Sequence, residues 1–270
     1  MVATGRAMIL SPILNVMTAA AEKAARGLIR DFGELEHLQV SKKGLGDFVS
    51  TADKRSESIL IQELSKARPS YSFLTEETGA IPGDENTEFC WIIDPLDGTL
   101  NFLHGIPHFA IVIALKKGDE IVASVTYSPL QDEMYWAEKG KGAFLNQRRL
   151  RVSGRRHLDE AVIAIGTPFG DHGDINTFQK RLEKIMPITA GTRRFGAAAL
   201  DLAYVAAGKF DAFFEDHLKP WDMAAGILLV REAGGYVTEV KGDKNMLTSG
   251  SVLAANEYIH GDLQKILGNV

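Results

Sequence analysis

Residues 91–101, Trp91-Ile92-Ile93-Asp94-Pro95-Leu96-Asp97-Gly98-Thr99-Leu100-Asn101, carry an apolar run to a carboxylate, a proline and a second carboxylate before Gly-Thr. The apolar run reads as a buried strand, so Asp94 is expected where that strand emerges and Asp97 on the loop after it. Two hard oxygen donors three residues apart on a proline-stiffened turn suit Mg²⁺, which takes few carboxylates and leaves room for water and a substrate phosphate. Gly98 and Thr99 would then offer backbone N–H groups at a helix start, where an anion is held favourably. The same D-x-x-D-G pattern also makes an ordinary Asx turn with an N-cap.

Other carboxylates tip the balance. Phe73-Leu74-Thr75-Glu76-Glu77-Thr78 ends a short apolar strand in two acids, and Pro220-Trp221-Asp222 places one at the start of a strongly apolar helix. Each has a structural reading: a solvated strand end for Glu76-Glu77, and a first-turn acid answering the helix dipole for Asp222. Three acidic stations at the ends of elements fit one shared metal site better than three unrelated accidents.

The elements that must position these acids fall into two patterns. Apolar residues Ile9, Ile13, Val16, Ala20, Ala24 and Leu28 recur at helical spacing, with Ser11-Pro12 as cap and first helical residue. A second helix is expected from Ser50-Thr51 to just before Pro69, with Ile59, Leu60 and Leu64 inward. Strands are expected at 72–75, 89–93, 108–116, 121–127, 133–137 and 143–145, so residues 1–150 read as two helices against a mostly antiparallel sheet. Residues 151–270 alternate instead. Strands at 161–165, 188–191 and 211–214 precede helices at 174–185, 196–207 and 219–233, and strands at 236–239 and 251–255 lead into a terminal helix. That alternation argues an α/β layer with a substantially parallel sheet.

Bulk properties bound the class. With 270 residues, 45% hydrophobic and 24% charged, the chain has the make-up of a soluble globular protein with a real core. A net charge of −5 argues against a general nucleic-acid binder. The single cysteine, Cys90, cannot form an internal disulfide, which suits a reducing cytoplasm, and it reads as a core residue. The stretch from Arg6 superficially resembles a signal peptide, but Asn15 interrupts it and the helical spacing runs on through Glu22, Lys23 and Arg26. No run is long enough to span a membrane.

The run Asp94-Pro95-Leu96-Asp97-Gly98-Thr99, the Glu76-Glu77 pair, Trp221-Asp222-Met223-Ala224-Ala225-Gly226 and Asp47-Phe48-Val49-Ser50-Thr51-Ala52-Asp53 together resemble the inositol monophosphatase family, from about residue 8 to the C-terminus. Thr75 stands where the family often has glycine, beside a ligand but not at one. The resemblance implies a five-layer αβαβα sandwich with the active site between its halves, a homodimer, and two or three Mg²⁺ ions. Glu76, Asp94 and the carbonyl of Leu96 would hold one ion; Asp94, Asp97 and Asp222 a second; Glu76 and waters a third. Thr99, partnered by Asp53, would orient the attacking water, with Glu76 beside it. Gly98 and Thr99 would take a phosphate oxygen, while Gly196, Ala198, Glu215 and Asp222 would meet the organic part of the substrate. Lys42 matches a family lysine near the metals, although adjacent Lys43 competes for that register. The implied reaction is Mg²⁺-dependent hydrolysis of inositol monophosphate or another small phosphorylated polyol, with inhibition by lithium. Fructose 1,6-bisphosphate, 3′-phosphoadenosine 5′-phosphate and histidinol phosphate are alternative substrates within the broader superfamily.

Two further features bear on function. His104 and His108 have a zinc-like spacing that Pro107 spoils for a common helical face. Arg148, Arg149, Arg151, Arg155 and Arg156 form the one conspicuous basic stretch, expected to be a solvated face. As a contact surface it would instead fit a non-catalytic partner of RNA or of a transcription complex.

Overall fold

Ser11 and Pro12 open the first helix as expected: the Ser11 side chain accepts the Leu14 N–H at 3.3 Å, and proline occupies the first turn, where its missing donor costs nothing. The computed structural model describes residues 10–35, 40–44, 47–168 and 173–270, with backbone alone for 40–44 and 47–49. Ile9 and the side chains of Lys42, Lys43 and Asp47 therefore lie outside the described residues. Helix α1 (Pro12–Phe32) buries Leu14, Met17, Ala21, Ala24 and Leu28, a stripe rotated slightly from the expected one, so Ile13 and Val16 are only half-buried. A short hairpin of β1 (Val40–Gly44) and β2 (Asp47–Ser50) leads into α2 (Thr51–Ala67), which begins on a capping box between Ser50 and Asp53.

The larger sheet follows, with β3 (Ser72–Thr75), β4 (Gly79–Ile81), β5 (Phe89–Asp97), β6 (Ala110–Lys117), β7 (Glu120–Ser128), β8 (Glu133–Glu138), β9 (Gly142–Leu145) and β10 (Arg148–Arg149), and the short helix α3 (Thr99–Leu103) after β5. Its spatial order is β10-β9-β8-β7-β6-β5-β3-β4, antiparallel except where β3 runs parallel to β5. The smaller sheet takes β11 (Val162–Ile165), β12 (Gly191–Arg193), β13 (Ala212–Glu215), β14 (Tyr236–Thr238) and β15 (Val252–Ala255), with α4 (Ile175–Ile185), α5 (Ala198–Ala206), α6 (Pro220–Glu232), α7 (Met246–Ser249) and α8 (His260–Gly268) between and after them. Its order is β12-β11-β13-β15-β14: the pairings of β11 with β12 and β13 are parallel, while β15 lies antiparallel to both β13 and β14. The sheet is thus mixed, because β14 and β15 follow one another without a long crossover helix. The expected strand at 188–191 starts three residues late, since Met186–Ile188 continues from α4 as a 3₁₀ turn.

Strand alternation sorts the core into layers. Trp91, Ile93, Ile111 and Ile113 face α1 and α2, whereas Ile92, Val112 and Ala114 face α5 and α6 through Ala199, Ala224 and Ala225. Being buried on both faces explains why β5 and β6 read as unbroken apolar runs. On the smaller sheet, Phe213 and Ala254 meet α5 and α6, while Ile163, Phe214 and Leu253 meet Ile185, Leu263 and Leu267 of α4 and α8. The five layers are helix pair, sheet, helix pair, sheet, helix pair. Fully buried side chains such as Leu60 and Phe213 each stabilise this stack by about 1.5–3 kcal/mol. Among the described residues no helix is long and apolar enough to cross a membrane.

Candidate active site

Strand β5 does not stop at Asp94. Asp94 faces Val112 and Asp97 faces Ala110, so three steps on β5 match two on β6, and the extra residue makes a bulge around Pro95 and Leu96. Asp97 is therefore at the strand's end rather than on a loop, because proline cannot donate to the ladder and the chain bulges around it instead of leaving the sheet. The bulge is held from two sides: Asp94 Oδ1 accepts the Leu96 N–H at 2.9 Å, and Ser56 Oγ donates to the Pro95 carbonyl at 2.8 Å. The result aims Asp97 at the middle helix layer, where its Oδ2 accepts the Ala199 N–H at 2.9 Å. That carboxylate caps α5, whose own N-cap residue is alanine, and so ties the first sheet to the helix that carries Ala198.

Gly98 then takes φ +87°, and a Cβ there would lie 3.0 Å from the His108 carbonyl and 3.3 Å from Ala197 Cβ. Only glycine fits both the angle and the space. Thr99 opens α3, with its Oγ1 3.0 Å from Asp53 Oδ1 and 2.9 Å from the Leu96 carbonyl. Asp53 is fully buried, and its Oδ2 accepts the Ser50 N–H at 2.9 Å and the Ser50 hydroxyl at 2.6 Å. Burial nevertheless pushes its carboxyl upward, against these donors.

Glu76 follows β3, half-buried, with its N–H on the Ile93 carbonyl at 3.2 Å. Asp222 sits in the first turn of α6, where Oδ2 accepts the Lys219 N–H at 2.7 Å. Glu215 ends β13 with its carboxyl laid directly on Gly166, where a Cβ would come within 1.8 Å of the Glu215 carboxyl carbon. Gly196, at φ +81°, and Ala198 border the start of α5. Glu76, Glu215 and Asp222 line one cleft of about 630 Å³, which also takes in Trp221, Thr167 and Lys219. Asp94 is 2% exposed and Asp97 8%.

Three residues of this arrangement escaped the sequence reading. Glu57, 2% exposed on α2, accepts the Glu77 N–H at 2.8 Å and the Thr78 hydroxyl, and so fixes the loop that carries Glu76. Asn101 donates to the carbonyls of His108 and Phe195 at 2.9 and 2.8 Å, joining the Gly98 turn to the approach to Gly196. Asp201, on α5, is 2% exposed, and its Oδ1 has no hydrogen-bond partner among the described residues. The first had a legible trace: Asp53, Ser56, Glu57, Leu60 and Leu64 share helical spacing, which puts polar residues on the buried stripe. His104 ends α3, and His108 turns into an aromatic group, its ring 5.2 Å from Phe195.

The electrostatics are those of crowded acids. Burial, then Glu76, Asp97 and Asp222, hold the Asp94 carboxyl well above the usual range. Burial pushes Asp97 and Asp222 each up to about 7, against the N–H groups of Ala199 and Lys219 respectively. Among the described residues no three His, Cys, Asp or Glu side chains close to ligating distance around one point. The acids nonetheless stand near enough to raise one another, and hard oxygen donors that repel in this way match a hard divalent cation.

These raised carboxyls have a stability consequence. Asp97 and Asp222 hold protons to about pH 7 in the fold against 3.8 ordinarily, so the metal-free folded state binds more protons than the unfolded chain between these values. Their contribution to stability is therefore expected to fall as pH rises from about 4 to 7. Melting of chelator-treated protein across that window checks this, and the slope should flatten when Mg²⁺ is added.

A sequence model of the inositol monophosphatase family matches residues 9–269. An inositol-1-monophosphatase of Mesorhizobium japonicum is 55% identical over 258 residues, 96% of this chain and 97% of that protein. The Nus factor SuhB of Escherichia coli K12 is 42% identical over 250 residues, 93% of each chain. The crystal structure of the extragenic suppressor protein suhB from Bartonella henselae superposes with a TM-score of 0.92 at 52% identity, covering 95% of this chain and 98% of that one.

Proposed function

We propose that this chain, which belongs to the inositol monophosphatase family, is a Mg²⁺-dependent phosphatase that hydrolyses inositol monophosphate to inositol and phosphate. The observation that carries the reading is Asp94, buried among Glu76, Asp97 and Asp222 behind a cleft large enough for a phosphorylated ring. Glu76, Asp94, the Leu96 carbonyl, Asp97 and Asp222 would hold two Mg²⁺ ions, with Asp94 shared and a third ion leaning on Glu76. Mg²⁺, when bound, neutralises the phosphate, stabilises the leaving oxygen and makes water a better nucleophile.

The chain's own residues do the rest. Thr99 Oγ1, tethered by Asp53, orients the attacking water, and Asp53 takes up or shares the proton at that hydroxyl. The N–H groups of Gly98 and Thr99, at the start of α3, meet a phosphate oxygen. Gly196 and Ala198 leave room for the ring, and Glu215 and Asp222 accept from its hydroxyls. Phosphate monoesters hydrolyse extremely slowly without catalysis, so positioning and charge neutralisation must both contribute. The resemblance implies a homodimer, for which exposed Leu100, Ile106 and Phe195 around Asn101 offer an apolar surface, and the single cysteine suits a reducing cytoplasm.

A phosphate-release screen over inositol 1-phosphate, fructose 1,6-bisphosphate, 3′-phosphoadenosine 5′-phosphate and histidinol phosphate, with and without Mg²⁺, tests the assignment. Inositol phosphate should be preferred, and lithium should inhibit. Preference for another ester would keep the chemistry and change the substrate.

A second reading, a partner of RNA or of a transcription complex, draws support from the name of the Escherichia coli relative and from the exposure of Arg148 and Arg151. Its neighbours are engaged within the fold. Arg155 pairs with buried Asp211 at 3.1 Å, and Arg156 lies 4.5 Å over the Tyr258 ring. Replacing Arg148 and Arg151 with serine should leave phosphate release nearly unchanged. If the surface binds RNA, the same change should weaken that binding and flatten its salt dependence. Wild-type protein without salt-sensitive RNA affinity is the result we expect.

A further inference from the structure

His217 holds φ +67°, in the left-handed region that disfavours any residue with a side chain. The other described non-glycine residues with positive φ are Asp132 and Asn146, residue types that adopt this conformation readily in turns. Histidine is enriched there as well, yet the conformation still carries a cost that the surrounding chain must meet. The chain on both sides fixes the conformation. Glu215 pairs with Val252 in the sheet, and Asp216 pairs with Arg181, which is 5% exposed and also donates to the Leu267 carbonyl at 3.2 Å. Beyond the turn, the Leu218 N–H donates to the Gly250 carbonyl at 2.9 Å, and the Lys219 N–H donates to Asp222 at 2.7 Å.

The imidazole so held lies in the same cleft as Glu76, Glu215 and Asp222, beside Pro168 and Gly173. A Cβ on Gly173 would sit 3.3 Å from its Cδ2. The ring is exposed, and it makes no hydrogen bond with any described residue. The chain on both sides thus holds the imidazole in this cleft, two residues from Glu215, with a ring N–H that no described residue accepts.

We propose that His217 is a specificity-determining residue, donating a ring N–H to a hydroxyl oxygen of a polyhydroxylated leaving group whose neighbouring hydroxyl proton is accepted by Glu215. A hydroxyl is donor and acceptor at once, whereas an ionised carboxylate only accepts. Glu215 alone therefore satisfies half of each hydroxyl, and His217 supplies the complementary half. The proposal rests on the polyol-phosphatase reading above.

The test compares wild type, His217→Gly and His217→Asn on the polyhydroxylated ester that wild type cleaves best and on 4-nitrophenyl phosphate. Glycine and asparagine both accept a left-handed backbone, so both variants are expected to fold and to melt no lower than wild type. Losing one neutral hydrogen bond should raise KM for the hydroxylated ester in His217→Gly by about fivefold, with kcat within about twofold and a smaller rise for 4-nitrophenyl phosphate. The asparagine side chain lacks the imidazole ring but keeps an N–H donor, so His217→Asn should recover most of the KM change. Unaltered KM in His217→Gly, an equal rise on both esters, or no recovery in His217→Asn overturns the proposal. If wild type prefers a hydroxylated ester other than inositol phosphate, the substrate assignment fails while the comparison is read on that ester.

Discussion

Asp94→Asn is expected to lower Mg²⁺-dependent phosphate release by about 10³-fold or more, the scale on which a group that stabilises transition-state charge is felt. Asn keeps the shape of Asp and retains an oxygen for the Leu96 N–H, which Asp94 Oδ1 now accepts at 2.9 Å, so the bulge in β5 should survive. What is lost is the charge shared among Glu76, Asp97 and Asp222. The same loss relieves their repulsion, so the metal-free variant should melt at or above the temperature of metal-free wild type. Mg²⁺ should raise the melting temperature of wild type and hardly move that of the variant, because a ligand stabilises only the state that binds it. Substantial turnover by the variant at saturating Mg²⁺ would show that Asp94 is not a shared ligand.

Glu215→Gln is expected to separate substrates rather than abolish chemistry. The carboxyl of Glu215 lies against Gly166, and Gln is close enough in shape to occupy the same space. Without metal, burial first and then Asp222 and Asp201 hold this carboxyl well above its usual range, opposed by Arg194. A bound cation acts in the opposite sense and favours the accepting anion. Replacing one acceptor oxygen with an NH₂ group leaves a ring hydroxyl poorly paired. For inositol phosphate the expected loss in kcat/KM is about 1.5–3 kcal/mol, the range for a hydrogen bond to a charged group. Measured on 4-nitrophenyl phosphate, which has no ring hydroxyls, the loss should be much smaller. Equal losses on both esters would assign Glu215 to support of the metals or the fold.

Most of the element order was legible because burial leaves a periodic trace. The two-sided burial of β5 and β6 wrote unbroken apolar runs, and the helix layers wrote stripes at helical spacing. The mixed pairing of the second sheet was less so, since whether β15 enters parallel or antiparallel depends on the path of the chain and not on its composition. The acids Asp94, Asp97, Asp222 and Glu76 stood out because carboxylates at the ends of apolar elements break the pattern around them. Glu57 and Asn101 did not stand out. Each acts through backbone groups distant in sequence, Glu77 for one and Phe195 for the other, and such contacts have no local signature. His217 was invisible for a related reason: its left-handed backbone is held by the fixed segments around it, while histidine, although enriched in that conformation, occurs far more often outside it.

The most direct measurement is phosphate release from inositol 1-phosphate by chelator-treated wild-type protein as Mg²⁺ is added back. Activity that is absent without the ion, rises with Mg²⁺ and falls again on adding lithium is the expected result. Equal turnover with and without Mg²⁺, or no release from this ester at any Mg²⁺ concentration while another phosphate ester is cleaved, would contradict the reading of this site as a Mg²⁺-dependent inositol monophosphatase.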